Sequence, residues 1–330
     1  MKRLIPVFTL AFLSPFIAEI VLGATPLTRI ASFPPLILLY GGGAVLIREL
    51  AGCTARPWRT ILCLGAAYGL LEEGLVMQTL FSPDLFGAAA CGLRLAGVNW
   101  VWTEALLGYH AIWSIAIPIA LTELCFPERR HKPWLGRIGI TVALVCYALG
   151  AMSIAIVFRT VVAPNFRAPA ILLIAVAVTA TALTVWALTR KTALAEPEKG
   201  NLPAAISSPW VAGAIALVAA GLWMWLFTLP QILRIGFRPL LPMILAAYLA
   251  WGVYRLVHSW SGGWTDLHLL AVIGGAVLAS AAYGIDVVKQ ASPLDRAGQA
   301  VCSIVLLSGL AAMMLRRKMQ ANRLPAPSVL

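Results

Sequence analysis

Apolar residues along this chain gather into ten blocks of helix length, at about 4–22, 34–51, 60–81, 100–126, 138–158, 169–189, 209–229, 239–257, 267–285 and 299–315. Turn-forming clusters separate them, among them Thr25-Pro26, Phe33-Pro34-Pro35, Ser82-Pro83-Asp84, Pro164-Asn165 and Ser208-Pro209. The blocks are too long for strands and lack the apolar–polar alternation of a barrel wall. About 20 apolar residues cross the ~30 Å hydrocarbon core as a helix. The pattern therefore predicts an all-α polytopic transmembrane helix bundle of about ten spans. The first block starts on Lys2-Arg3 and ends on Leu22-Gly23-Ala24, as a secretory signal does. Glu19 and Pro15 inside it, and a large Leu where a small residue is wanted, favour a retained first span.

Composition agrees with the pattern. Apolar residues make up 61% of the 330-residue chain and charged residues 12%, against about 45–50% and about 25% in soluble proteins. The net charge of +12 is spread over short connections, which speaks for loop charges beside a membrane rather than nucleic-acid binding. The amino terminus, the carboxyl terminus and the 2–3, 4–5, 6–7 and 8–9 connections hold 17 of the 25 basic residues, and the other connections hold 8. Both termini are thus expected in the cytoplasm, and a bacterial inner membrane is the expected location. Trp58, Trp134 and Trp210 flank spans where interfacial anchors sit. The cysteines at 53, 63, 91, 125, 146 and 302 form no CxxC pair, so neither a metal site nor a disulfide framework is expected.

Ionisable residues are distributed unevenly. Spans within 1–126 carry Glu19, Arg48, Glu49, Glu72, Glu73, Glu104, His110 and Glu123, whereas Glu196, Glu198, Asp266, Asp286 and Asp295 lie in connections or at span ends. The chain accordingly divides into a four-span half, 1–126, an apolar six-span half, 138–320, and a short tail, 321–330. An ionisable side chain at the bilayer centre costs at least ~2.5–3.5 kcal/mol, so the adjacent pair Glu72-Glu73 and His110 on the next span need partners or a task. At 1.5 Å per residue, the glutamates lie roughly 18–20 Å from one face and His110 roughly 15 Å from the other, depths that permit contact. Gly65, Gly69 and Glu73 form one ridge that lets a neighbouring backbone approach. Thr103, Leu107, His110, Ser114, Pro118 and Thr122 align on one face of span 4, and Pro118 frees the carbonyl near residue 114. Glu72, Glu73 and His110 are the candidate catalytic residues, with Arg48, Glu49, Ser114 and Glu104 in support. Arg48 is long enough to reach toward Glu72 or to fix helix register with Glu49. Glu19, Glu104 and Glu123 lie nearer span ends, where snorkelling or capping is expected.

The string Tyr68-Gly-Leu-Leu-Glu72-Glu73-Gly, followed by His110-Ala-Ile-Trp-Ser114, resembles the glutamate intramembrane proteases, the CAAX-protease and bacteriocin-processing family and its relatives. The resemblance covers about residues 60–126. It implies that Glu72 or Glu73 acts as general base and that His110 stabilises the oxyanion or the water. Two departures stand out. Val76, Met77 and Gln78 occupy positions where that family often has a basic residue, and neither His258 nor His268 begins a His-xxx-Asn/Asp motif. The longer string from Leu46-Ile-Arg-Glu-Leu to Pro133-Trp134-Leu-Gly looks like that of bacterial multi-pass membrane proteins of unassigned function.

Three functions stay open on the residues alone: an intramembrane hydrolase or peptidase, a proton-coupled transporter or channel with the same groups as a relay, and a non-catalytic assembly protein. The chain has no Walker A, dinucleotide fingerprint, HExxH or GxSxG. No cofactor or metal is expected, and the expected partners are membrane lipid and a membrane-embedded peptide or small-molecule substrate. The orientation is tested by reporter fusions after Arg323 and within 190–203, both expected to report the cytoplasm; an outside signal from either would reverse the map.

Overall fold

The fold is described from a computed structural model over residues 4–54, 57–86, 94–189, 208–226, 240–260 and 264–321. Cys91, Glu196, Glu198 and the tail from 322 onward lie outside the described residues. Each of the ten apolar blocks contains a helix among the described residues. We label these α1 (Ile5–Val21), α2 (Leu27–Ala51), α3 (Pro57–Leu70, continued by Leu71–Val76), α4 (Trp100–Cys125) and α5 (Arg137–Val162). There follow α6 (Ala170–Thr189), α7 (Pro209–Leu226), α8 (Leu240–Trp260), α9 (Asp266–Val287) and α10 (Pro293–Ala321). Seven are long and apolar enough to cross a membrane by length and composition alone. Among the others, α1 is short, and α3 carries Arg59, Glu72 and Glu73. A two-residue hairpin, β1 (Arg94–Leu95) with β2 (Val98–Asn99), is the one sheet among the described residues.

The first four helices form the centre. Leu10 and Ala18 of α1, Leu39 and Ala44 of α2, Leu64 and Tyr68 of α3, and Ile115 and Ile119 of α4 share one core. A second core joins Ile17, Trp113 and Ile117 to Met224 of α7, Leu270 and Val277 of α9 and Leu306 of α10. The chemical boundary at 126 is therefore not a boundary in packing. Helices α5 and α6 are largely uncovered, with 17% and 11% of their most apolar windows buried, and their exposed Ile, Leu and Val side chains suit lipid.

Small residues set the central spacings, as the glycine ridge predicted. A Cβ on Gly65 would stand 2.8 Å from Ala111 Cα, and one on Gly69 would stand 3.1 Å from His110 Cβ, so α4 lies directly on that ridge. Gly41 meets α1 as closely: an added Cβ would stand 2.5 Å from the Ala11 carbonyl oxygen. Proline at 15 removes the amide that would have bonded that carbonyl within the helix.

Gly41→Ala should cost about 1–3 kcal/mol, since the backbone of α1 must move to admit a methyl. Gly221→Ala, with nothing within 4 Å of the added Cβ, should instead be neutral or stabilise by up to ~1 kcal/mol through helix propensity. Thermal unfolding in detergent compares them; equal effects would refute the packing argument.

Candidate functional site

The four central helices all change winding at the same place. A π-helical turn carries one extra residue and i→i+5 hydrogen bonds, and such turns occur frequently at functional sites. Phe16–Val21 in α1 is π-helical and holds Glu19; Ile37–Gly41 in α2 holds Tyr40. Leu71–Val76 in α3 holds Glu72 and Glu73, and His110–Ala116 in α4 holds His110 and Ser114. A fifth, Phe158–Val162, ends α5. The bond from Met77 N–H to the Glu72 carbonyl at 2.9 Å closes the α3 turn. In α4, Pro118 cannot donate to the Ser114 carbonyl, and the Ser14 hydroxyl donates to it instead at 2.6 Å.

These turns aim the candidate residues at one another. His110 Nε2 lies 3.0 Å from Glu73 Oε1, and His110 Nδ1 lies 3.0 Å from Ser114 Oγ and 3.3 Å from Glu72 Oε2. The expected contact between the histidine and both glutamates is thus present. The Thr79 hydroxyl donates a hydrogen bond to the other oxygen of Glu73, so that carboxylate is held at both ends. Glu72 differs: its Oε2 faces His110 Nδ1 at 3.3 Å, and the Tyr40 and Tyr68 hydroxyls lie beside the same carboxylate. All are deeply buried, with Glu72 1% and His110 2% exposed.

Around this trio stand aromatic rings. Tyr40 and Tyr68 approach the imidazole with centroids at 6.0 and 5.8 Å. Tyr109 stacks on Trp113 and donates to the Ala18 carbonyl at 2.7 Å. The Tyr40 hydroxyl donates to Glu19 at 2.6 Å, and Thr25 donates to the second Glu19 oxygen at 2.7 Å. Glu19 therefore joins the polar centre through Tyr40 instead of snorkelling to a span end. Its signal in the sequence was the one Glu72 gave, an acid inside an apolar block, discounted for its position. Thr79 and Ser14 gave no signal, because a lone hydroxyl in a loop or helix has no pattern.

The remaining supporting candidates go elsewhere. Arg48 turns away from Glu72. Its guanidinium donates to Glu49 at 2.8 Å, to Glu123 at 3.3 Å and to the carbonyls of Arg129, Arg130 and Lys132 at 2.8–3.1 Å, while lying 3.9 Å from the Trp134 ring centroid. Five acceptors within reach outcompete one more distant carboxylate. Glu49 accepts from the backbone of Trp134 and Leu135, so this pair clamps the connection after α4. Glu123 belongs to the clamp. Glu104 sits apart on the first turns of α4, one of its oxygens buried without a partner. No group of three or more His, Cys, Asp or Glu side chains among the described residues is arranged to hold a metal ion.

The arrangement defines a multi-pass integral membrane protein with acid–base groups gathered between its central helices. The profile of a family described as an uncharacterised membrane protein family matches residues 8–260, most of the chain including all four central helices, and the protein belongs to that family. No curated protein and no solved structure matches it.

Ser14→Ala should cost about 1–3 kcal/mol, the penalty of leaving the Ser114 carbonyl buried without a donor. Ser153→Ala, whose exposed hydroxyl only returns to the Leu149 carbonyl of its own helix, should stay within about 0.5 kcal/mol. Equal melting temperatures for the two variants would dismiss the role given to Ser14.

Proposed function

We propose that the protein is an intramembrane hydrolase that cleaves an amide bond of a membrane-embedded substrate, with Glu72 as general base. The observation that carries this reading is the placement of His110 between two buried carboxylates, Glu73, which Thr79 also holds, and Glu72 at 3.3 Å. A link serving only to hold helices together would need one carboxylate on the imidazole, and a second beside it repels the first. The likeness of the Glu-Glu and His segments to the glutamate intramembrane proteases supports the same assignment.

The polar groups also favour chemistry approached from one face over passage through the membrane. Thr25, Glu19, Tyr40, Glu72, His110, Glu73 and Thr79 gather at one level. From there α2 runs through Gly41–Gly43, Ala44, Val45, Leu46 and Ile47 before Arg48, an apolar interval of roughly 12 Å at the helical rise. A relay across the bilayer needs that interval bridged. In the proposed reaction a water oxygen bonds to the substrate carbonyl carbon while its proton passes to Glu72. The developing oxyanion accepts from the Tyr68 hydroxyl. The carbon–nitrogen bond then breaks, and the proton on Glu72 leaves with the amine. His110, held by Glu73, positions the base through its Nδ1 edge. Substrate reaches the site past α5 and α6, which touch it through Tyr147 beside Tyr68 and Val176 against Gly74.

The test compares new protein N-termini within or beside membrane spans in a deletion strain carrying wild-type protein, Glu72→Gln, Glu73→Gln or His110→Gln. Glu72→Gln should reduce the wild-type-dependent cleavages about 10²–10⁴-fold, the usual worth of a general base. Its melting temperature should stay within the ~2–4 °C that 1 kcal/mol moves in a domain of 150–250 residues. Unchanged cleavage sites in that variant would reject the hydrolase. So would a proton leak through vesicles bearing wild-type protein that Glu72→Gln abolishes, or uniform destabilisation of all three variants.

A further inference from the structure

A second cluster lies at the other end of the bundle, where the connection after α4 meets the start of α9 and the end of α10. Arg130 Nη1 lies 3.0 Å from Asp266 Oδ1, and Arg317 Nη1 lies 3.4 Å from Asp266 Oδ2. Arg317 also donates to the Leu124 carbonyl at 3.1 Å. Two guanidinium groups thus share one carboxylate and leave a net positive charge. Glu123, which shares Arg48 with Glu49, interacts with Arg130 and offsets part of that charge. The flanking residues Arg129, Lys132, Arg316 and Lys318 add cations, more than Glu123 and Glu128 can offset.

Donors in this cluster also go unused. Arg130 Nη2, Arg129 Nε and the indole nitrogen of Trp264 are buried without hydrogen-bond partners. Trp264 is stacked on His268, with centroids 6.1 Å apart and planes 13° from parallel, and His268 is itself fixed by Thr265 at the start of α9. The indole is therefore held in place at the start of α9, two residues before Asp266. Arginine forks with free N–H groups match the oxygens of a phosphate, and each charge-assisted bond is roughly twice as strong as a neutral one. The position matches as well. These residues end three spans at the face that the basic-residue count assigns to the cytoplasm, where basic pockets between spans bind anionic lipid head groups.

We propose that Arg129, Arg130, Arg317 and Trp264 form a binding site for a phosphate ester, occupied by the head group of an anionic phospholipid. The site is separate from the His110 centre and independent of the hydrolase reading. A bound head group would join the end of α4 to α9 and α10, adding to the link that Asp266 makes.

The test uses the full chain purified in a neutral detergent, titrated with phosphatidylglycerol, phosphatidylcholine or inorganic phosphate. Melting temperature and lipid retained in native mass spectrometry are the readouts. Phosphatidylglycerol should be retained and raise the melting temperature, with phosphatidylcholine ineffective. Arg129→Gln and Arg130→Gln should weaken its binding about tenfold or more, as loss of one hydrogen bond to a charged group predicts. Arg129→Gln removes a side chain whose Nε holds no partner, so its effect reads binding even if Arg130→Gln disturbs the Asp266 bridge. An equal response to inorganic phosphate, lost in the same variants, would keep the phosphate site and assign its ligand to solution. Equal retention of both lipids, or wild-type affinity in Arg129→Gln, would overturn the proposal.

Discussion

Placing a carboxylate between helices that face hydrocarbon is the constraint on which this structure turns. Unpartnered, such a group costs several kcal/mol in a low-dielectric interior, and α1, α3 and α4 each bring at least one ionisable residue to the same level. His110 resolves much of the conflict by standing between Glu73 and Glu72 at 3.0 and 3.3 Å. Tyr40 and Thr25 do the same for Glu19. The glycines of α2 and α3 follow from this arrangement, because charged groups can meet at hydrogen-bonding distance only if the backbones come close. So does the Ser14 bond, which supplies the donor that Pro118 withholds.

Around this centre the later helices are fastened at both ends. At one end Asp266 of α9 takes Arg130 and Arg317. At the other, Asp295 of α10 accepts from Thr28 at 2.9 and 3.1 Å, and Gln299 donates to the carbonyls of Val21 and Ala281. Between the ends the contact is apolar, through residues such as Trp113, Val277 and Leu306. In contrast, α5 and α6 have no ion pair to the centre among the described residues. The bundle thus has a firmly tied side and a side held mainly by apolar packing, and the polar centre lies between them.

The helices were legible in the sequence because membrane helices must be continuous, apolar and about as long as the bilayer is thick. The meeting of His110 with Glu72 and Glu73 was legible for a related reason, since depth along a span can be counted in residues. Direction around the helix could not be counted. Arg48, placed within reach of Glu72 by rise alone, turns to the carbonyls of 129–132, which only the folded connection presents. Tyr40 and Glu19 lie on different spans, and their bond depends on how α1 and α2 are rotated. The polar stripe read along α4 fails similarly: Thr103 and Thr122 direct their hydroxyls to the carbonyls of Asn99 and Pro118 in the same chain segment.

The π turns give that failure a cause and carry a consequence of their own. Each contains one residue more than an α-turn, so everything beyond it is rotated by about 100° relative to an uninterrupted helix. Residues before and after His110–Ala116 therefore belong to different phases of the helix, and no single periodicity describes both. The same arithmetic makes the centre sensitive to length more than to composition. Loss of one residue anywhere within Leu71–Val76 would restore a regular α-helix, preserve the apolar character of the span, and swing one side of α3 away from α4. A chain with that single gap would keep every residue type of the centre and lose the geometry that brings them together.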